Sequence, residues 1–308
     1  MTSAQSSAAT AAGRAPVAAI VLAYNEERNL PECLASLQGW IEQLFVVDSG
    51  STDGTVEIAR SYGAVVVEHP FETYGAQRNW ALENLPLTSP WILNVDSDER
   101  VTPELRASIE EVLRRDDASA VGYLASRRTM FMGRWIRHGG HYPVWHLRLF
   151  RRGRGRCEDR LYDQHFLCDG PTRKLSGDLI DTLTTSIATF SLRHVRWAQL
   201  EAEEQGVAAQ AAGRVRGRLL SGNAIETRRW LRESYNRGPL FVRPVLYFLY
   251  RYFLRLGFLD GREGLVFHFL QGFWYRFLVD ALIFERAMMA RRASGPEHAA
   301  TTPDSTRS

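Results

Sequence analysis

Between Val17 and about Ser126, short apolar runs alternate with segments whose apolar residues recur at helical spacing. VAAIVLAY reads as a strand, the stretch from Glu27 to Leu37 as a helix, LFVVD as a strand and TVEIARSY as a helix. AVVVEH, WILNVD and AVGYLAS are further strands; GAQRNWALEN and PELRASIEEVLRR are helices, the latter with Pro103 in its first turn. This alternation predicts βαβ units and an α/β fold with a mostly parallel sheet flanked by helices. Ligands of such sheets bind beyond the carboxyl ends of the strands. Residues 127–190, rich in Gly, Arg, His and aromatics, keep no clean period and read as irregular. A helical region is predicted from about Arg193 to Glu233.

The pattern changes again over roughly 239–292, which reads PLFVRPVLYFLYRYFLRL, GFLDGREG, then LVFHFLQGFWYRFLVDALIFERA. Arg243, Tyr247, Arg251 and Arg255 recur every four positions, which keeps them on about a third of a helix circumference. Glu263, Arg276, Asp280 and Glu285 interrupt the second half. No stretch reaches the roughly 18 uncharged apolar residues of a membrane span. The expectation is an amphipathic arm lying in a membrane surface, arginines toward anionic head groups and aromatics in the acyl boundary. The other reading is a pair of core helices packed on the catalytic domain, or on a second copy in a homo-oligomer.

Composition adds bounds rather than function. The 308 residues are 45% hydrophobic and 24% charged, ordinary for a globular protein. A formal net charge of +3 gives no sign of a nucleic-acid partner. Cys33, Cys157 and Cys168 have neither metal-site spacing nor an even count, which fits a reducing cytosol. The first residues lack a secretory pattern, so the chain is expected in the cytoplasm or on the cytoplasmic face of the inner membrane. The expected organisation is a disordered tail over 1–14, a catalytic domain over 15–235, the membrane-associated arm over 236–293 and a second disordered tail over 294–308.

Polar motifs fall at the predicted strand ends. The first strand ends in Ala23-Tyr24-Asn25-Glu26, and the second runs into Asp48-Ser49-Gly50-Ser51-Thr52-Asp53-Gly54-Thr55. Small residues let backbone approach a ligand closely, and an Asp at a strand end offers a carboxylate to a base or ribose. Taken alone, that segment reads equally as a turn with Asp53 or Ser51 capping a helix. The fourth strand ends in Asn94-Val95-Asp96-Ser97-Asp98-Glu99. Asp96 and Asp98, two apart in extended chain, are expected to face the same way as a hard-oxygen site for Mg²⁺ or Mn²⁺; read alone, the segment is equally an acidic cluster at a helix N-terminus or a fragment of a calcium loop, whose remaining ligands are absent. Such a cation neutralises the charge of a departing nucleoside diphosphate.

In order and spacing, VLAYNEERNLPECLASL, VVDSGSTDGTVEIA, GAQRNWAL and NVDSDE resemble the family 2 glycosyltransferases of GT-A fold, over about residues 17–113. The resemblance implies an inverting enzyme that takes a sugar from a nucleotide donor. It places Ala23, Tyr24, Asn25, Glu26, Asp48, Ser49, Arg78, Asp96 and Ser97 around the nucleotide sugar. Within that set Asp48 meets the base, Arg78 the base or phosphates, and Asp96 the ribose, while Asp98, aided by Asp96, holds the metal. The family's general base is a downstream carboxylate, often in a Glu-Asp pair, here Glu158-Asp159. A similar branch carries Val-His-Glu where this chain has Tyr162-Asp163-Gln164. The candidates are therefore Asp159 first, then Glu158 and Asp163; the plainer reading pairs these acids with Arg156 and Arg160. RHGGHYP and LRLF resemble the acceptor-side segment of enzymes that glucosylate the lipopolysaccharide inner core, which implies that His138, His141 and Arg148 face the acceptor. GFLDGREG resembles the C-terminus of the same enzymes. The implied reaction moves a hexose, glucose from UDP-glucose being the suggested donor, onto a membrane-borne glycolipid. A polyprenyl-phosphate sugar transferase and a silent membrane scaffold of the same fold are the alternatives.

Overall fold

The computed structural model describes residues 13–115, 119–160, 163–182, 186–206 and 224–293. Both expected tails, apart from Gly13 and Arg14, lie outside them, as does Tyr162. The first apolar run forms β1 (Ala15–Ala23), whose alternate residues feed two separate cores. Val17, Ala19 and Val21 pack on one face, Ala18, Ile20 and Leu22 on the other. Burial on both faces explains why this central strand is continuously apolar.

Around it stand β2 (Ile41–Asp48), β3 (Val65–Glu68) and β4 (Trp91–Asp96), joined in parallel in the order β3-β2-β1-β4. The crossovers are α1 (Leu30–Leu37), α2 (Thr55–Ser61) and α3 (Tyr74–Asn84). Helix α1 starts three residues later than the pattern predicts: backbone bonds from Asn29 and Leu30 to the Glu26 carbonyl close a turn first, and Pro31 then sits in the first helical turn. After β4 come β5 (Glu99–Val101) and α4 (Pro103–Arg115), the helix packing Leu105, Ile109 and Leu113 on the sheet.

The region expected to be irregular is mostly strand. It holds the end of β6 (Gly122–Phe131), then β7 (Arg134–Trp135), β8 (Trp145–Arg151), β9 (Gly155–Cys157), β10 (Phe166–Cys168) and β11 (Thr172–Thr182). Strand β8 slots antiparallel between β4 and β6, β11 runs parallel to β6, and β5 closes the edge. Six strands, β1 to β4 with β6 and β11, point one way, so their carboxyl ends share one rim. This mixed, mostly parallel sheet with flanking helices is the expected GT-A arrangement. The periodicity failed in β8 because Arg148 points inward, buried by ion pairing rather than apolar packing.

Helices α5 (Ile187–Gly206) and α6 (Ala224–Asn236) lead into the C-terminal part. There α7 (Val242–Leu249) widens into a π turn, Tyr250–Leu254, and a short 3-10 turn precedes α8 (Gly261–Phe267). A second π turn, His268–Trp274, runs into α9 (Tyr275–Ala293). Tyr275 and Val279 of α9 pack on Ala198 and Ala202 of α5, small residues that allow close approach. No helix among the described residues is long and apolar enough to cross a membrane.

Two of the three arginines expected to face outward, Arg243 and Arg251, turn inward, while Arg255 stays exposed. Arg243 is buried, its guanidinium on Asp280 at 2.5–2.8 Å, and Asp280 also accepts the Phe241 amide. Arg251 donates to the Gly139 carbonyl at 2.5 Å. Inside the fold the guanidiniums satisfy carboxylate and carbonyl groups that solvent cannot reach, which outweighs their solvation at the surface. The outward face is instead apolar, including Leu246, Phe253, Leu254, Phe258 and Phe269.

Candidate active site

Two loops at the rim are stitched together by hydrogen bonds. The Asn25 amide donates to Ser51 Oγ (2.9 Å), the Thr52 amide to Asn25 Oδ1 (2.8 Å) and the Glu26 amide to Thr55 Oγ1 (2.8 Å). Asn25 adopts a left-handed backbone (φ 54°), a conformation its short polar side chain tolerates. Asp48 is buried, and its carboxylate accepts from the Gly50 and Ser51 amides and the Ser51 hydroxyl. Its hydrogen bonds thus build the loop that follows β2. Ser49 donates its amide to the Ala23 carbonyl, and its hydroxyl accepts from Gln77. Tyr24 is exposed beside them, and Glu26 accepts from the Asn29 side-chain amide.

Helix α3 lacks a strong apolar stripe because three successive side chains serve three different strands. Gln77 reaches Ser49 after β2. Arg78 pairs with Asp96 at the end of β4 and lies over the Phe166 ring. Asn79 makes a reciprocal pair with the backbone of Cys157 at the end of β9 (2.7 and 3.1 Å). At Gly75, any Cβ would run into the Glu158 carbonyl, so the helix lies directly on that segment.

Four carboxylates converge at the end of β4 and its neighbours. Asp96 takes Arg78 on one oxygen and Arg148 (2.8 Å) on the other. Burial would raise its carboxyl, but these two guanidiniums hold it well below the usual carboxylate range. Arg148 also reaches buried Glu99 at 2.5 Å, and Glu99 accepts the Asp96 amide. Burial, opposed by Arg148 and reinforced by Asp96 and Asp181, pushes Glu99 up to about 7. Asp181 faces Arg127 at 3.3 Å. Asp98 keeps 19% of its side chain accessible and, among the described residues, pairs only at long range, 3.6 Å, with Arg193. Burial first, then the charges of Asp181, Asp96, Glu99 and Glu26, holds its carboxyl well above the usual range. Ser97 is buried in the turn between the two aspartates.

Carboxylate oxygens are the hard donors that a divalent cation takes. No ready cluster of three or more His, Cys, Asp or Glu ligands stands among the described residues.

The base candidates differ sharply. Glu158 is fully buried and accepts from the His165 amide (3.0 Å), with His165 Nδ1 at 3.2 Å. Asp163 pairs with Arg232, which also holds Glu201. Asp159 is exposed in the segment after β9, between Glu158 and an Arg160 paired with Glu204 of α5.

The acceptor-side residues are separated in space. His138 bonds Asp260 through both its amide (2.9 Å) and Nδ1 (2.6 Å). His141 is half-buried, bonded to Gln271 at 2.8 Å and set against the Phe267 ring. Both fasten the loop to the arm. Arg148 lies beneath the carboxylates rather than with the histidines, because Asp96 and Glu99 compete for it. Glu99, Asp181, Arg127, Gln77, Asn79 and Arg193 escaped the sequence reading. Glu99 and Gln77 at least stood inside quoted motifs; Arg193 gave no signal.

Residues 18–175, which contain Asp96, Asp98, Glu99 and the three base candidates but not Asp181, match the model of glycosyl transferase family 2. The chain belongs to this family. It is a nucleotide-sugar-dependent glycosyltransferase. A lipopolysaccharide core biosynthesis glycosyltransferase, LpsC, from Rhizobium meliloti (strain 1021) is 30% identical over 288 residues, 90% of this chain and 95% of that one. Among solved structures, a mannosyltransferase from Pyrobaculum calidifontis in complex with GDP-Man and Mn²⁺ is 15% identical. It covers 94% of this chain and 78% of its own, with a TM-score of 0.43. Glucosyl-3-phosphoglycerate synthase from Mycobacterium tuberculosis, in complex with Mn²⁺, UDP and glucosyl-3-phosphoglycerate, is 25% identical over 39% of this chain and 46% of its own, with a TM-score of 0.32.

Proposed function

We propose that this glycosyltransferase moves a hexose from a nucleotide sugar, UDP-glucose first among candidates, to a membrane-borne lipopolysaccharide core intermediate or related glycolipid. The observation that carries the donor side is the convergence of Asp96, Asp98, Glu99 and Asp181 at the strand rim. The acceptor class is supported by the likeness to LpsC along nearly the whole chain. Residues 15–235 form the catalytic domain and 236–293 an arm whose exposed apolar face meets the membrane.

Asp98, the most accessible carboxylate not held by a short ion pair, would hold the divalent cation, with Asp96 beside it. When bound, the cation supplies charge neutralisation at the diphosphate. Arg78 and Arg148 lock Asp96 in its charged form, so its geometry is fixed before substrate arrives. The Asn25–Ser51 and Glu26–Thr55 bonds fix the loops that flank the nucleoside. Asp159 takes the proton of the acceptor hydroxyl, whose oxygen bonds the anomeric carbon from the face opposite the leaving group. The anomeric C–O bond breaks and its electron pair leaves on the phosphate oxygen. Glu158, already committed to His165, positions that segment instead.

A panel of nucleotide sugars, each assayed for transfer and hydrolysis with Mg²⁺ or Mn²⁺, tests the reading. Asp98→Asn should lose metal-dependent donor binding and cut turnover by about 10²-fold or more, as loss of one electrostatic stabiliser usually does. A chelator-insensitive wild type, or a fully active Asp98→Asn, refutes the metal assignment.

A further inference from the structure

Each of the four carboxylates at the rim has a guanidinium partner, yet the partners are unequal. Arg78 and Arg148 are buried, Arg148 at 2.5–2.8 Å from its acids, and Arg127 stands 3.3 Å from Asp181. Arg193 is the most exposed of the four, at 34%, and its 3.6 Å separation from Asp98 is too long for a hydrogen bond. Its backbone, by contrast, is fixed. Phe190 packs edge-on against Phe131, His194 bonds the Phe190 carbonyl at 2.8 Å, and Tyr275 of α9 closes over His194. A rigid helix therefore holds a loosely paired cation over the carboxylate that would take the metal.

We propose that Arg193 is a catalytic residue that neutralises the departing nucleoside diphosphate; this deepens, and rests on, the donor reading above. A cation held by Asp98 would compete with the Arg193 guanidinium for that carboxylate. Arg193 would then be left to meet an incoming diphosphate as its new anion. A guanidinium matches phosphate oxygens with two parallel hydrogen bonds, and the match strengthens as the anomeric C–O bond breaks and its electron pair passes to the phosphate. The arm thereby contributes to chemistry at a distance, because α9 fixes the helix that carries Arg193.

The test compares the full-length wild type with Arg193→Gln and Arg193→Lys. Calorimetric titration uses UDP and GDP with Mn²⁺, with UMP and GMP as monophosphate controls; electron paramagnetic resonance follows Mn²⁺ alone. Arg193→Gln should weaken diphosphate binding about ten- to a hundredfold, the range for a hydrogen bond to a charged group. Arg193→Lys should recover part of the loss, and monophosphate affinity should hold. Binding of Mn²⁺ alone should stay equal or tighten, since a competitor for Asp98 is gone, a direction that misfolding cannot mimic. Unchanged diphosphate affinity in Arg193→Gln overturns the assignment and leaves the donor reading standing. Equal losses for mono- and diphosphates, or loss of Mn²⁺ binding, show a structural role and overturn it too. A wild type that binds neither diphosphate overturns both readings.

Discussion

Glu158 and Asp159 are adjacent in the chain, but the first carboxylate is enclosed and hydrogen-bonded to His165 while the second is exposed. A general base must reach the proton it removes, so accessibility ranks Asp159 ahead. Asp159→Asn is expected to lower kcat by about 10²–10⁴-fold with donor affinity little changed, the usual weight of general base catalysis. Glu158→Gln should act differently, lowering the melting temperature and perturbing the loop, because a buried acceptor of two groups is altered. Steady-state kinetics beside thermal melts separates the two; a silent Asp159→Asn with an inactive, well-folded Glu158→Gln would reverse the ranking.

Among the elements, α3 and the C-terminal helices do most of the positioning. Helix α3 ties the loop after β2, the end of β4 and the base segment through Gln77, Arg78 and Asn79. The arm holds the Arg137–Pro143 loop through Asp260, Arg251 and Gln271, and the His268 ring fills the place a Cβ on Gly139 would need. The arm itself is pinned by Arg243 and Asp280, both almost fully enclosed. Replacing one member of such a pair leaves a buried charge without its counter-ion, so Arg243→Ala should cost about 3–5 kcal/mol. Denaturant unfolding of the full chain checks this; a loss below 1 kcal/mol, at the level of an exposed ion pair, would mean that the pair does not anchor the arm.

At the scale of the whole molecule, the arm is joined to the sheet through Arg134 of β7, which reaches Leu259 and Glu263 at the carboxyl end of β6. Its exposed large apolar side chains, among them Phe253, Leu254 and Phe258, are of the kind that marks an interaction site. With Arg243 buried and Arg251 engaged by Gly139, attraction to acidic lipids has lost two of the three arginines that the sequence offered it. Vesicle binding should therefore depend mainly on inserted side chains and little on salt. Changing Phe253, Leu254 and Phe258 to Ser should weaken co-sedimentation by roughly tenfold or more per residue if each is fully buried in lipid. Binding that is abolished by salt, or unaffected by the three changes, would reject this face as the membrane contact; a dimer that the same changes dissociate would assign it to a second copy.

The sequence by itself determined the parallel half of the sheet, its helices and the strand ends that carry the motifs. There each element's pattern is local, a continuous apolar run in β1 and β4 and a helical period in α4. It also determined the family, because the motif residues keep their order and spacing. Tertiary structure alone decided the rest. Strand β8 carries a buried arginine that no apolar pattern announces, and it became legible only once Asp96 and Glu99 were beside it. Arg193 gains its significance from Asp98, nearly a hundred positions away, and Arg243 and Arg251 turn inward because Asp280 and the Gly139 carbonyl are there to receive them. Charge pairing acts through space between distant segments, whereas periodicity acts along the chain, and only the second can be read in one dimension.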